Sequence, residues 1–312
     1  MPRKNPRVPL HEHGRLAPPA AGAWLSSISV GAAGEIVTVW VAGGTGDART
    51  TFGSADDGLP CRTDVVVAAY RTTEPCLVVR FDGLRLRFPE AQVVPDGILL
   101  VGSRCSRRGG VAEQNAEVRD VTGARLRRGC LGDGIAMVRA TPRGDVWAGY
   151  FDEGVYGNLG WGGDVAPLGA PGVVLWSGQD FTPLWAPEPD VDDAYAATLV
   201  GEDLWASTYT DFPLRIYTNG TERTLPTSDA GTRALITDGA TVATVGEYGD
   251  AATFRIYDLS VDTQRGPRAK GRLDVPRGTK DVQLMGHGDR LHVFAGDHWS
   301  SVTLAEIRDA AG

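Results

Sequence analysis

The sequence predicts an all-β fold, a six-bladed β-propeller, and two features of the chain carry that expectation. A strand–turn–strand unit pivoting on glycine recurs about six times, at Ala33-Gly34-Glu35, Asp96-Gly97, Arg143-Gly144-Asp145, Val200-Gly201-Glu202, Asp238-Gly239 and His287-Gly288-Asp289. Most copies are followed by a second glycine turn, as in Phe81-Asp82-Gly83, Val121-Thr122-Gly123, Trp176-Ser177-Gly178 and Tyr217-Thr218-Asn219-Gly220. Short runs rich in Val, Ile, Thr and aromatic residues lie between the turns, the composition of strands on a pleated, half-buried surface.

Each repeat reads as four antiparallel strands, the first toward the centre of a propeller and the fourth outside. The first blade runs from Leu25 to about Phe88, with a long second-to-third connection across Gly43–Thr63. The second spans Val93–Arg128 and the third Ile135–Leu184. The fourth shows the pattern best, with strands at Asp193–Val200, Asp203–Tyr209, Leu214–Tyr217 and Thr221–Leu225. The fifth covers Arg233–Leu273, and the last begins near Lys280 with strands at Asp281–Gly286, Arg290–Ala295 and Ser301–Ile307. That last blade lacks a fourth strand, which Arg7–Leu16 can supply while covering an open sheet edge. Residues 1–18 are thus expected to close the final blade and residues 19–312 to form one propeller domain. If Val65–Tyr70 belonged to a degenerate repeat of its own, the count would be seven.

These repeats resemble bacterial β-propellers, among them WD40-like propellers and those of sensor-kinase ectodomains. The resemblance covers nearly the whole chain and rests on turn grammar, because the blades lack a Gly-His and Trp-Asp pair each. It transfers no catalytic residue; a binding or scaffold module, working through an acidic, aromatic rim, is the expectation.

Composition narrows the function classes. The chain has 312 residues, 42% hydrophobic and 22% charged, enough to bury a large core. A net charge of −8 argues against nucleic acid, whose recognition needs a basic field. The run Arg104, Arg107, Arg108 and Arg119 reads as charged loop tips. Four cysteines, Cys61, Cys76, Cys105 and Cys130, are too few and too widely spaced for a disulfide framework, and no CxxC pair suggests zinc. The N-terminus does not read as a signal peptide, and no apolar run approaches the roughly 18 residues of a membrane span. A cytoplasmic monomer with reduced thiols and no membrane partner is the expectation.

Loops joining second to third strands, and those joining blades, emerge on one rim of a propeller. There the sequence places Tyr150-Phe151-Asp152-Glu153, Tyr209-Thr210-Asp211, Glu247-Tyr248-Gly249-Asp250 and Asp297-His298-Trp299, three copies repeating Tyr-x-Asp. The inter-blade loops add Asp133, Asp190, Asp192, Asp193 and Asp229. Three readings stay open. The aspartates cap turns; or the rim is a recognition surface in which Tyr150, Tyr156, Trp161, Tyr209, Tyr248, Asp297 and Trp299 bind a cationic protein or small molecule; or Asp152, Glu153, Asp211, Glu247, Asp250 and His298 form a hydrolase or lyase centre. In the last case a divalent cation such as calcium or magnesium is the cofactor that carboxylates would suit.

The remaining histidines add little. His292 reads as buried packing, His287 as a turn residue, and His11 and His13 as two imidazoles on one side of a strand. Gly43-Gly44-Thr45-Gly46 lacks the lysine of a phosphate loop, and Asn219-Gly220 reads as a hairpin turn. The Gly- and Pro-rich segment Tyr156–Pro171 is a long loop that either carries function or folds over the rim through Trp161.

Overall fold

Alternating apolar residues and glycine turns produce six consecutive sheets, each built on four antiparallel strands and one of them extended by a fifth, parallel strand, and the fold is a six-bladed β-propeller. The computed structural model describes residues 6–43, 46–55, 58–188, 191–218, 220–260, 266–276 and 282–312. Gly44, Thr45, Asp190, Asn219, Lys280 and Asp281 lie outside the described residues. The chain forms two compact units, Leu16–Asp193 and Met1–Arg15 with Ala194–Gly312.

The unit Leu16–Asp193 holds the first three blades. Their strands are Trp24–Val30, Ile36–Val41, Thr63–Tyr70 and Pro75–Leu84; Arg87–Val94, Gly97–Arg104, Ala116–Arg119 and Arg125–Gly129; then Ile135–Ala140, Val146–Tyr150, Val173–Trp176 and Pro183–Trp185. Val65–Tyr70 belongs to the third strand of the first blade, paired with Ile36–Val41 and Pro75–Leu84, so no seventh blade exists there. The second blade begins at Arg87 rather than Val93, because the full run Arg87–Val94 pairs with Gly97–Arg104. Side chains stitch the first strands of neighbouring blades together. Ser29 Oγ donates to the Ala91 carbonyl at 2.6 Å, and Gln92 reaches both Val30 O and Ala140 N, at 3.3 and 3.2 Å.

Apolar faces of adjacent blades close on each other. Val37, Val39, Val67 and Phe81 of the first blade pack with Ile98 and Leu100 of the second. Leu99, Val101 and Val118 pack with Val138, Ala148 and Val174 of the third. Each such side chain contributes about 1.5–3 kcal/mol when fully withdrawn from water. The long Gly43–Thr63 connection holds a short helix, Ala48–Phe52, started by Asp47, whose carboxylate accepts Arg49 N at 3.0 Å. Fully buried Phe52 anchors it in the core between the first two blades.

The other unit holds the last three blades. Their strands are Ala194–Val200, Asp203–Thr208, Leu214–Thr218 and Thr221–Leu225; Ala234–Thr237, Thr241–Glu247, Asp250–Asp258 and Ala269–Leu273; then Val282–His287, Arg290–Ala295, His298–Thr303 and, from the N-terminus, His11–Arg15. His11 faces Ser301 and Arg15 faces His298, so the N-terminal strand completes the final blade. Just before it, Arg7–Val8 runs parallel to Arg272–Leu273 as a fifth strand on the preceding sheet, with Val8 buried. Gly286 allows a close approach between the last two blades, since a Cβ there would lie 1.6 Å from the Leu235 carbonyl oxygen.

The third strand of the last blade ends at Thr303 instead of Ile307, and Leu304–Ala311 is a helix. A capping box starts it: Glu306 N donates to Thr303 Oγ1 at 3.3 Å and Thr303 N to Glu306 Oε2 at 2.7 Å. The signal Thr-Leu-Ala-Glu stood in the sequence, where the apolar alternation masked it. Leu304 and Ile307 then join the core of the last two blades.

Candidate functional site

The best-formed exposed cluster is aromatic and comes from the fourth and fifth blades. Strand Ala194–Val200 carries a register shift between Ala194 and Ala196 that turns Tyr195 outward, between two buried alanines. Tyr209 follows the strand Asp203–Thr208, and two residues on the chain takes left-handed conformations at Asp211 (φ 65°) and Phe212 (φ 49°). Such conformations cost roughly 1–3 kcal/mol for ordinary residues and cluster at ligand clamps. Here the Phe212 ring is buried beneath the cluster, and Thr227 Oγ1 donates to its carbonyl at 2.7 Å. From the fifth blade comes Tyr248, whose N–H donates to Ala230 O at 3.1 Å. Its ring lies flat over Gly231, which has φ +74°; a Cβ there would lie 2.8 Å from Tyr248 Cδ1.

Four rings therefore meet. Phe212 contacts Tyr195, Tyr209 and Tyr248 at centroid distances of 5.0, 5.8 and 5.6 Å, edge-on in each case. Tyr195 stacks on Tyr209 at 6.3 Å and joins hydroxyls with Tyr248 at 3.0 Å. Tyr195, Tyr209 and Tyr248 are 37%, 44% and 60% exposed, an unusual outlay of aromatic surface for three neighbouring residues. Asp211, also exposed, stands in the same loop as Tyr209.

Glu247, next to Tyr248 in sequence, belongs to a charged network of the fifth blade. Arg255 pairs with Glu247 and, at 3.4 Å, with Asp229, which also accepts the Tyr257 hydroxyl at 3.0 Å. Burial pushes the Asp229 carboxyl above its ordinary value, against the opposing pull of Thr244, Arg255 and Tyr257. Asp250 is a turn cap: it accepts Ala252 N at 2.8 Å and Thr253 Oγ1 at 3.0 Å and pairs with Arg272 at 2.5 Å. Burial works against its ionised form, but the bonds from Arg272, Ala252 and Thr253 outweigh it and hold the carboxyl below its ordinary value. In the last blade Asp297 pairs with Arg15 at 3.4 Å, and His298 opens the strand opposite Ala295 and Arg15.

Several expected site residues lie in the core instead. Trp299 is buried, stacked on His13 at 3.9 Å, with Nε1 donating to His292 Nδ1 at 3.1 Å. Tyr150 is fully buried, donating to Leu131 O at 2.5 Å and accepting Trp176 Nε1 at 3.1 Å. The Tyr-x-Asp copies are out of step: Tyr150 faces the first residue of its blade's first strand, Ile135, a place that Thr208 holds opposite Ala194. A one-residue offset in a strand reverses the face, so Tyr150 points inward and Tyr209 outward.

Within the unit Leu16–Asp193 the acidic residues are also engaged. Asp152 begins the helix Asp152–Tyr156 and accepts Glu153 N at 2.7 Å. Glu153 pairs with Arg104, which also clasps buried Asp133 through Nε and Nη2 at 2.9 and 3.1 Å. Tyr156 is exposed and donates its hydroxyl to Asp192, and that bond raises its pKa above the ordinary value. Trp161 is buried, with Nε1 donating to Cys105 O at 2.8 Å, so the Gly- and Pro-rich segment is pinned to the fold. Arg119 pairs with Glu117 at 2.6 Å.

Among the described residues no group of three or more His, Cys, Asp or Glu side chains comes together as metal ligands. His11 and His13 meet edge-to-face at 4.7 Å, and His13 Nε2 shares a hydrogen bond with Ser301 Oγ at 2.9 Å. No helix among the described residues is long and apolar enough to cross a membrane.

No known sequence family matches the chain, and no curated protein does. Solved structures do resemble it. A chain of the mitotic checkpoint complex is 11% identical, with 92% of this chain and 79% of that chain covered and a TM-score of 0.52. The WD40 domain of Pan2 from Neurospora crassa is 11% identical, covering 94% of this chain and 93% of that one, with a TM-score of 0.46. BamB from Moraxella catarrhalis is 14% identical, covering 89% and 82%, with a TM-score of 0.45. The chain is a β-propeller with WD40 domains among its structural neighbours.

Proposed function

We propose that this propeller is a protein-binding module and that it grips its partner with the tyrosine platform of the fourth and fifth blades. The observation that carries this reading is the exposure of Tyr195, Tyr209 and Tyr248 on a rigid Phe212 base. Tyrosine supplies large contact area at small entropic cost, and interface cores are enriched in it. The partner presents cationic side chains. Ring faces attract Arg and Lys, Asp211 adds a carboxylate beside them, and the net charge of −8 steers positive partners inward.

The acidic rim expected from sequence contracts, in this reading, to Asp211. Asp250 and Asp297 hold arginines of their own chain, so their charge is largely spent inside the fold. A propeller hosts many functions, and the assignment rests on the site and not on the fold.

The test is a peptide array of basic, acidic and neutral sequences probed with the wild-type chain and with Tyr209→Ala and Tyr248→Ala. Selection of Arg- and Lys-bearing peptides, lost at least about tenfold in both variants at unchanged melting temperature, is the expected result. Peptide binding indifferent to both substitutions would remove the platform from the function.

A further inference from the structure

Cys105 and Cys130 lie 25 residues apart in sequence, yet their sulfurs are 3.6 Å apart. Both stand just past the ends of strands in the second blade. Cys105 follows Gly97–Arg104, the second strand, and Cys130 follows Arg125–Gly129, the fourth. The third strand, Ala116–Arg119, runs between them.

Their nearness is enforced by buried polar groups. Cys105 N donates to Asp133 Oδ1 at 2.7 Å, and its carbonyl accepts Trp161 Nε1 at 2.8 Å. On the other side Leu131 N donates to Asn115 Oδ1 at 3.0 Å, while Asn115 Nδ2 donates to Gly102 O and Gly132 O at 2.7 and 2.8 Å. Tyr150 closes the frame by donating to Leu131 O at 2.5 Å. Asn115 thus ties the backbone near one cysteine to the backbone near the other. Two thiols so held meet at a high effective concentration, and bonding distance requires an approach of only ~1.5 Å.

We propose that Cys105 and Cys130 form a redox-active thiol pair, oxidised to an intramolecular disulfide by low-molecular-weight disulfides. The two sulfurs have unequal parts. Cys130 is partly exposed and attacks; Cys105 is fully buried and resolves. The Cys130 thiolate attacks one sulfur of the oxidant RSSR, forming a mixed disulfide and releasing the first RS⁻. Cys105 then loses its proton and attacks the Cys130 sulfur, forming the protein disulfide and releasing the second RS⁻. Two protein thiols are oxidised, one RSSR is reduced to two RSH, and the two thiol protons go to the leaving groups.

The electrostatics agree with this division. The hydrogen bond shared by the two sulfurs holds Cys130 below the ordinary thiol value although burial opposes it. That same bond, and then burial, push Cys105 up. Cys61 and Cys76 are free cysteines as well and serve as internal controls.

The experiment uses the reduced full chain with oxidised glutathione, followed over time by acid quench, alkylation of free thiols and peptide mapping without reduction. A transient glutathionyl group on Cys130 followed by a Cys105–Cys130 cross-link is expected. In Cys105→Ser the glutathionyl group should persist on Cys130, and in Cys130→Ser residue 105 should stay unreacted in the folded protein. The wild-type time course alone decides the matter if a variant fails to fold. A stable mixed disulfide on Cys130 without cross-linking would overturn the proposal. So would both thiols remaining reduced while Cys76 reacts, or a cross-link of either one to Cys61 or Cys76.

Discussion

The hydroxyls of Tyr195 and Tyr248 lie 3.0 Å apart with their rings crossed at 88°, although one tyrosine is on the first strand of the fourth blade and the other in a turn between two strands of the fifth. Their bond is partly solvated, where a neutral hydrogen bond is worth about 0.5–1.5 kcal/mol net. Tyr195→Phe and Tyr248→Phe should therefore each cost less than about 1 kcal/mol in denaturant unfolding. A double-mutant cycle should show coupling between them, because each single variant removes the same bond. Strictly additive losses would mean the two hydroxyls do not interact in solution.

Asp211 and Asp250 should part company. Asp250→Ala removes two turn hydrogen bonds and the partner of a half-exposed arginine, and should destabilise the chain by about 1–2 kcal/mol. Asp211→Asn keeps a residue type tolerant of φ 65° and should leave the melting temperature unchanged while weakening basic-peptide binding. Equal stability losses at the two sites would make Asp211 a turn residue and nothing more.

Removal of the residues up to Arg15 should open the last blade. It exposes His298–Thr303 as a sheet edge, takes Val8 out of the core and leaves Arg272–Leu273 without its parallel partner. A fall in melting temperature on the order of 10 °C is expected, from a loss of several kcal/mol in a domain of this size. Differential scanning calorimetry of the truncated chain checks it, and an unchanged midpoint would show that the final blade is stable on three strands.

The blades were legible in the sequence because a period-2 apolar pattern broken by glycine turns has few other solutions. The missing fourth strand of the last blade likewise pointed to the N-terminus. The site was less legible, and for local reasons. Tyr195 is turned outward by a bulge between two alanines, which no composition signal marks. The repeated Tyr-x-Asp looked uniform, yet Tyr150 sits one register position earlier than Tyr209 and so packs inward. The Cys105–Cys130 contact depends on Asn115 and Asp133 folding two strand ends together, which spacing along the chain conceals.

Trp205 tests the packing between the fourth and fifth blades. It is buried against Ala196, Leu214 and Ile216 of its own blade and Leu235, Val242 and Tyr257 of the next. Trp205→Ala should cost about 3–5 kcal/mol, the range for large aromatic truncations in cores. A loss below about 1 kcal/mol in urea unfolding would mean that the two blades close over the gap.

His292 predicts an acid-sensitive last blade. Burial, reinforced by Arg290, His287 and His13, lowers its pKa to about 3, so the folded protein keeps the ring neutral while Nδ1 accepts the Trp299 indole proton. In the unfolded chain the ring takes up a proton at its ordinary value of about 6.5. The stabilisation is therefore fully present above pH 6.5 and is lost as pH falls from there toward 3. Its slope approaches about 1.4 kcal/mol per pH unit, the value for one proton bound only by the unfolded state. His292→Asn retains an acceptor for Trp299 but cannot titrate. Its stability at pH 7 should be lower, while its decline between pH 6.5 and 3 should be shallower than that of the wild type by close to one proton. Urea unfolding of both proteins across that window measures the difference directly, with the carboxylates and His13 common to the two. Parallel curves would show that His292 is protonated in the folded state and that its burial beside Trp299 does not govern acid stability.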